Sequence, residues 1–200
     1  DLDYAGSLAS TDWLDPGASN IVVDLDGGSY LVGAPLTVPS RVKLQNGQLI
    51  ADTSADWGDD GSGKPTRAVV ELSLAATRAT EIYGITIICG HAANGILIDV
   101  GGGAFNRITK NIISGAGEVG IHVKSAAGTY IENNVITEWF MGEEEFNSDE
   151  SFVATGIRLD DSDQKIFRNT CRWSRCNLQI NKGTALVEGN HFYNGRPSSV

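Results

Sequence analysis

Two hundred residues suffice for one domain with its own core, and a hydrophobic content of 41% excludes a disordered chain. A net charge of −10 and a pI near 4.6 exclude phosphate backbones as natural partners. No apolar run reaches the length of a membrane span, so no membrane insertion is expected. In chain order, residues 1–20 read as an N-terminal cap, with a short helix over 4–15 covering the end of a stack. Residues 21–25, 30–32, 36–38, 42–44 and 49–50 read as short strands, separated by turns such as Asp26-Gly27-Gly28 and Asn46-Gly47. They make up irregular first coils over 21–80, broken at 52–66 by a polar, glycine-rich loop.

From 81 to 195 the chain repeats itself. Ile96-Leu97-Ile98, Ile121-His122-Val123, Ile157-Arg158-Leu159 and Leu178-Gln179-Ile180 each follow a glycine or asparagine and alternate with period two. A second strand follows each of them, beginning at Ile108, Ile131, Ile166 and Val187. Three residues later stands Asn111, Asn134, Asn169 or Asn190, and two further on Ile113, Ile136, Cys171 or Phe192. An earlier copy has Ile82 and Ile87, with Ile85 in the asparagine slot. Equivalent positions lie 21 to 26 residues apart, except where an insertion near 138–154 lengthens one step. Such a period with such short strands means a solenoid: all-β, a right-handed parallel β-helix in a single domain over 1–200. The asparagine column reads as architecture, suited to a bend because Asn tolerates left-handed backbone and its amide can bond the coils on either side. Cys89, Cys171 and Cys176 show no CxxC and read as buried free thiols. The chain starts at Asp1 without Met, and its last residues suggest no cap, so it reads as a fragment of a longer protein.

The segments "DLDGGSYLV" and "APLTVPSRVKLQNGQLIA" resemble the opening coils of phage tailspike and capsule depolymerase β-helices. The "GIxV…IxxNxI" coils resemble the wider pectate-lyase-like superfamily, over about residues 20–195. This resemblance implies a homotrimeric, extracellular protein of a virion tail that binds and depolymerises a bacterial surface polysaccharide. It also implies that the outer face of the first strand of each coil carries the substrate.

Alternation places Leu97, His122, Arg158 and Gln179 in one outward column of that face, and Asp99, Lys124, Asp160 and Asn181 in the next. With coils about 4.8 Å apart, Asp99 and Asp160 stand roughly 9.6 Å from each other, near the upper end of the roughly 6.5–9.5 Å carboxylate separation of inverting glycosidases. One carboxyl would then need a raised pKa to act as acid while the other activates water. The competing reading is an ordinary exposed ladder of alternating charge. "Ile121-His-Val-Lys124-Ser125" also resembles the strand of β-helical alginate lyases that carries a catalytic lysine. That likeness implies Lys124 as base, assisted by His122 or Arg158, although Asp160 fills the slot where those enzymes place arginine.

The 138–154 insertion joins Trp139, Phe140 and Phe146 to Glu143 and further carboxylates, and reads as a sugar-binding loop or a solvated acidic one. Trp57 and Trp173 read as groove-lining or as packing between subunits, and Asp161 and Asp163 as turn formers. No cofactor is expected: calcium between Asp99 and Asp160 would neutralise a uronate, but no ligand cluster calls for it, and His91 and His191 lack metal-ligand spacing. A non-catalytic receptor-binding or structural β-helix, such as a tail fibre or adhesin, is the remaining alternative.

Overall fold

The computed structural model describes residues 21–61, 63–72, 79–103, 105–137, 155–161, 163–172 and 176–193. Within them the strands are β1 (Ile21–Asp24), β2 (Ser29–Val32), β3 (Leu36–Thr37), β4 (Val42–Ala51), β5 (Ala68–Leu72), β6 (Glu81–Ile88), β7 (Asn94–Gly103), β8 (Arg107–Thr109) and β9 (Ile112–Ser114). They continue as β10 (Val119–Ala127), β11 (Tyr130–Glu132), β12 (Val135–Thr137), β13 (Thr155–Leu159), β14 (Gln164–Phe167), β15 (Thr170–Arg172), β16 (Cys176–Ile180), β17 (Ala185–Glu188) and β18 (His191–Phe192). Each pairs in parallel with the equivalent strand of the next coil, giving a right-handed parallel β-helix.

Three faces result. The first is the sheet β3-β5-β7-β10-β13-β16. The second and third belong to one larger sheet, bent along its length, because β4 and β6 run unbroken across the bend that later coils divide into two strands. Residues 21–80, less regular in sequence, supply β1–β5 to the same three faces.

Register stacks the repeat into three apolar columns. Val70, Ile96, Ile121, Ile157 and Leu178 line the first face. The second carries Leu44, Ile82, Ile108, Ile131, Ile166 and Val187, and the third Leu49, Ile87, Ile113, Ile136, Cys171 and Phe192. The middle coils are sealed, with Ile96, Ile108, Ile121 and Ile131 fully buried. Each such isoleucine contributes about 1.5–3 kcal/mol through the apolar surface it removes from water. Cys89 and Cys171 are buried among them, and burial pushes both thiols up to about 12, so they act as apolar filler. Cys176, by contrast, is half-buried.

The asparagine column is architecture, but its geometry differs from expectation. Left-handed backbone falls on the preceding residue of each coil: Asn46, Gly84, Lys110, Asn133, Arg168 and Gly189, with φ between 53° and 64°. The ladder residues themselves turn inward at the bend, where Asn111, Asn134 and Asn169 are fully buried. A related correction concerns Asn46-Gly47. It does not reverse the chain as a hairpin turn would; it bends β4 from the second face to the third, and both halves keep their parallel partners.

Trp57 is not groove-lining. It is 3% exposed, packs into the core and donates its indole N–H to the Asp52 carbonyl at 2.8 Å, pinning the 52–66 loop to the coil edge. The expected helix at 4–15, the 138–154 insertion and Trp173 lie outside the described residues.

Gly95, Gly120 and Gly156 form a column of their own at the start of the first-face strands. A Cβ on Gly120 would meet the Gly156 carbonyl oxygen at 2.7 Å and the Ile136 side chain at 2.5 Å. Coil spacing is set by backbone hydrogen bonds, so this carbonyl cannot retreat without breaking the ladder. Gly120→Ala is therefore expected to destabilise the protein by about 1–3 kcal/mol, by overpacking, measured as a shift of the urea midpoint.

Candidate functional site

The outer surface of the first face carries the charged constellation. Leu97, His122, Arg158 and Gln179 stand level with one another on consecutive coils, in the order expected from alternation. The second column is less regular. Val123 pairs with Ile98, but Ser125 rather than Lys124 stands level with Asp99, because a bulge in β10 makes Lys124 the extra residue. Lys124 still reaches Asp99, its Nζ 3.0 Å from the Asp99 carboxylate, in a largely exposed pair.

Asp160 is the centre of the remaining groups. It follows β13 directly, and its backbone N–H donates to the Val123 carbonyl, which holds it against β10. Three neighbouring coils contribute to its carboxylate. His122 Nε2 lies 2.7 Å from Oδ2, the Arg158 guanidinium Nε approaches to 3.3 Å, and Asn181 Nδ2 donates to Oδ1 at 2.6 Å. Gln179 orients Asn181 in turn, donating to its side-chain oxygen at 2.9 Å. His122, Arg158, Asp160, Gln179 and Asn181 thus form one connected group.

Burial favours a protonated Asp160, but hydrogen bonds from His122 and Asn181 and the charges of Arg158 and His122 outweigh it, holding the carboxyl below the ordinary aspartate value. An ionised carboxylate only accepts hydrogen bonds, so the His122 proton on this side sits on Nε2. A carboxylate offers about four lone-pair sites. His122, Arg158 and Asn181 occupy three, which leaves room for one water or sugar hydroxyl.

Asp99 and Asp160 therefore differ from the pair expected of an inverting glycosidase in one respect. Neither is isolated: Asp99 is bound by Lys124 and Asp160 by three donors. The low pKa of Asp160 suits a base and not a proton donor.

Glu118 is a group that strand alternation did not find. It sits in the turn before β10, where Asn94 Oδ1 accepts its backbone N–H, and its carboxylate lies 3.5 Å from Arg158 Nη1. Arg158 is thereby clamped between Glu118 and Asp160. Period-two reasoning stops at the strand end, so a turn residue of this kind leaves no signal in the pattern. Trp139, Phe140, Glu143 and Phe146, expected to bind sugar, lie outside the described residues. Asp163 forms a turn at φ 64° and accepts a hydrogen bond from Thr184. Among the described residues no group of three or more His, Cys, Asp or Glu side chains gathers as a metal site.

The Asp160 carboxylate is more acidic in the folded chain than in the unfolded one. Its contribution to stability is complete above the ordinary aspartate pKa of 3.8 and is lost as pH falls through the lower folded value. The difference in unfolding midpoint between the wild type and Asp160→Asn should therefore be constant near neutrality and shrink below about pH 4. A difference that grew on acidification would contradict the assignment.

Comparison with known proteins places this geometry in context. No family model matches the chain. It is similar to the polygalacturonase QRT3 of Arabidopsis thaliana, 28% identical over 187 residues that make up 86% of this chain and 36% of that protein. The chain spans about a third of that relative's length. Among solved structures it resembles a protein from Parabacteroides merdae described as a glycosyl hydrolase. The TM-score is 0.58 at 14% identity, covering 98% of this chain and 86% of that one. At that identity the second likeness speaks for the fold alone.

Proposed function

We propose that this β-helix belongs to a polysaccharide-degrading glycosidase, with its cleavage site on the outer surface of the first face. The observation that carries the reading is the convergence of His122, Arg158 and Asn181, from three consecutive coils, on one ionised carboxylate that keeps an acceptor site open. The likeness to a plant polygalacturonase supports a glycan as substrate. In this reading Asp160 takes a proton from the attacking water, and the Lys124 ammonium, held by Asp99 on the same face, gives one to the departing sugar oxygen. Arg158 and Asn181 hold Asp160 in place, and Gln179 lies beside them for sugar hydroxyls.

The opening "DLDGGSYLV" and "VPSRVKLQNGQLIA" segments, which lie in β1–β4, support a finer reading. It is a homotrimeric tailspike on a virion, acting outside the cell on a bacterial surface polysaccharide. A lyase centred on Lys124 is the less favoured chemistry, since that amine is engaged by Asp99 at 3.0 Å. A purely binding role has a specific observation behind it: three of the Asp160 acceptor positions are already filled from within the protein.

Incubation with capsular polysaccharides and polygalacturonate separates these readings. New reducing ends without unsaturated-uronate absorbance are expected. Absorbance would instead identify a lyase, and retained binding without new ends would identify a receptor-binding module. Sedimentation in solution tests the trimer.

A further inference from the structure

The second face carries a feature that the cleavage reading does not use. From β4 to β14 its outward positions carry Lys43, Arg107 and Lys165, with the carboxylates Glu81 and Glu132 on the coils between, and the bend residues Lys110 and Arg168 follow β8 and β14 directly. This is a local cationic excess on a chain of net charge −10. Two tyrosines organise it. Lys43 Nζ lies 4.0 Å from the centre of the Tyr83 ring, and Lys110 Nζ donates to the Tyr83 hydroxyl at 3.0 Å. Arg107 and Lys165 flank Tyr130 in the same manner, with Lys165 Nζ 2.6 Å from its hydroxyl. Lys43 is paired with Glu81 at 3.5 Å and Arg168 with Glu132 at 3.3 Å; Arg107, Lys110 and Lys165 lie against tyrosine rings, which fix a cation without neutralising it and leave its charge available to an anion.

Backbone strain marks two of the five. Lys110 and Arg168 occupy the left-handed bend position, at φ 58° and 53°. Other coils fill that slot with Asn46, Gly84, Asn133 or Gly189, residues that accept it readily. Beside Tyr83 lies a cavity of about 260 Å³, lined by Asp24, Gln45, Asn46, Tyr83 and Gly84. It has the size for a single sugar ring. Its polar groups suit hydroxyls: the Asp24 carboxylate, oriented by Gln45 and Asn46 at 2.7 and 2.9 Å, can accept from them.

We propose that this stripe is a second glycan site, one that holds an acidic polysaccharide chain along the helix axis on a different face from Asp160. Uronate carboxylates would meet the cations, while one sugar ring would sit in the Tyr83 cavity. Cationic coils alternate with the coils that carry Glu81 and Glu132, so cations recur every second coil, ~9.6 Å, close to the length of a disaccharide, and every second uronate of an extended two-fold chain faces them. The choice of a glycan rests on the function proposed above; the choice of an anionic one rests on the charges alone.

The test uses the whole chain carrying Lys110→Asn and Arg168→Asn together. Asparagine suits the left-handed position, so the fold should survive, and thermal unfolding checks this. Binding to polygalacturonate and alginate is measured by calorimetry at two salt concentrations. The double variant is expected to bind about tenfold more weakly, with a shallower salt dependence, while cleavage of short soluble oligosaccharides is unchanged. Binding that stays at wild-type strength, or that is lost in Asp160→Asn and retained in the double variant, would overturn the proposal. So would a wild-type chain that binds neither polyuronate. Weakened binding in a protein that cleaves no glycan would leave the second site standing and remove only the glycosidase reading.

Discussion

Asp160→Asn is expected to lower polysaccharide cleavage at least about 100-fold, the usual loss when a positioned base is removed, while leaving the coil stack folded. The amide keeps the size of the carboxylate but not its charge. Its oxygen can still accept from Asn181 or His122, but its NH2 group turns a donor toward the Arg158 guanidinium, itself a donor only. Arg158 would remain anchored by Glu118. His122 would lose the carboxylate that its Nε2 contacts at 2.7 Å, and with it the partner that orients the ring. Backbone pairing does not depend on this side chain, since the Asp160 N–H bonds the Val123 carbonyl whichever group is attached. The measurement is the initial rate of reducing-end release in the glycan assay proposed above, with an unfolding curve for each protein. A variant within about threefold of wild type would remove Asp160 from the chemistry, because such a change is smaller than the loss of any general base.

The largest effect on stability is expected at the bend between the second and third faces. Asn134→Ala should cost about 3–5 kcal/mol, from about 1–3 kcal/mol for each buried group left without a partner. Asn134 Oδ1 accepts both the backbone N–H and the side-chain amide of Asn111, each at 3.0 Å. Its Nδ2 donates to the Ile108 carbonyl at 2.8 Å and to Asn169 Oδ1 at 2.9 Å. Alanine abandons all four, and with 0% exposure at this position water has no access to replace them. Asn190→Ala, at a partly exposed rung, serves as the comparison and should cost about 1 kcal/mol, since solvent can satisfy the groups it releases. Urea denaturation of both variants gives the difference. Equal losses would mean that the rungs act separately and burial does not matter.

Much of this molecule could be read from its residues in order. Period-two alternation assigns Ile96, Ile121 and Ile157 to the interior, and His122, Arg158 and Gln179 to the exterior, because a strand side chain has only two directions to take. The recurrence of the pattern at a nearly constant interval then implies stacking, since a short strand cannot bury an apolar side chain alone. The asparagine column was visible for the same reason, one residue type at one slot of each coil. The left-handed residue was not: Lys110 and Arg168 carry no conformational signal, and glycine or asparagine holds the position in other coils.

What the sequence by itself determined is which side of each strand a residue occupies and which coil it belongs to. Only the tertiary structure decided which residues touch. Lys124 lost its level with Asp99 to a bulge, a local defect in a hydrogen-bond ladder between coils, yet its long side chain recovered the contact. Glu118 joined the site from a turn, where alternation assigns no direction. Trp57 left the loop surface for the core, because a large apolar ring finds cover wherever the stack leaves room. Asp160 is held ionised by donors that reach it from coils 21 and 38 residues away, which its own position in the chain does not reveal. Those encounters depend on the register between coils, which is set by backbone pairing across the stack and is not a property of any one strand.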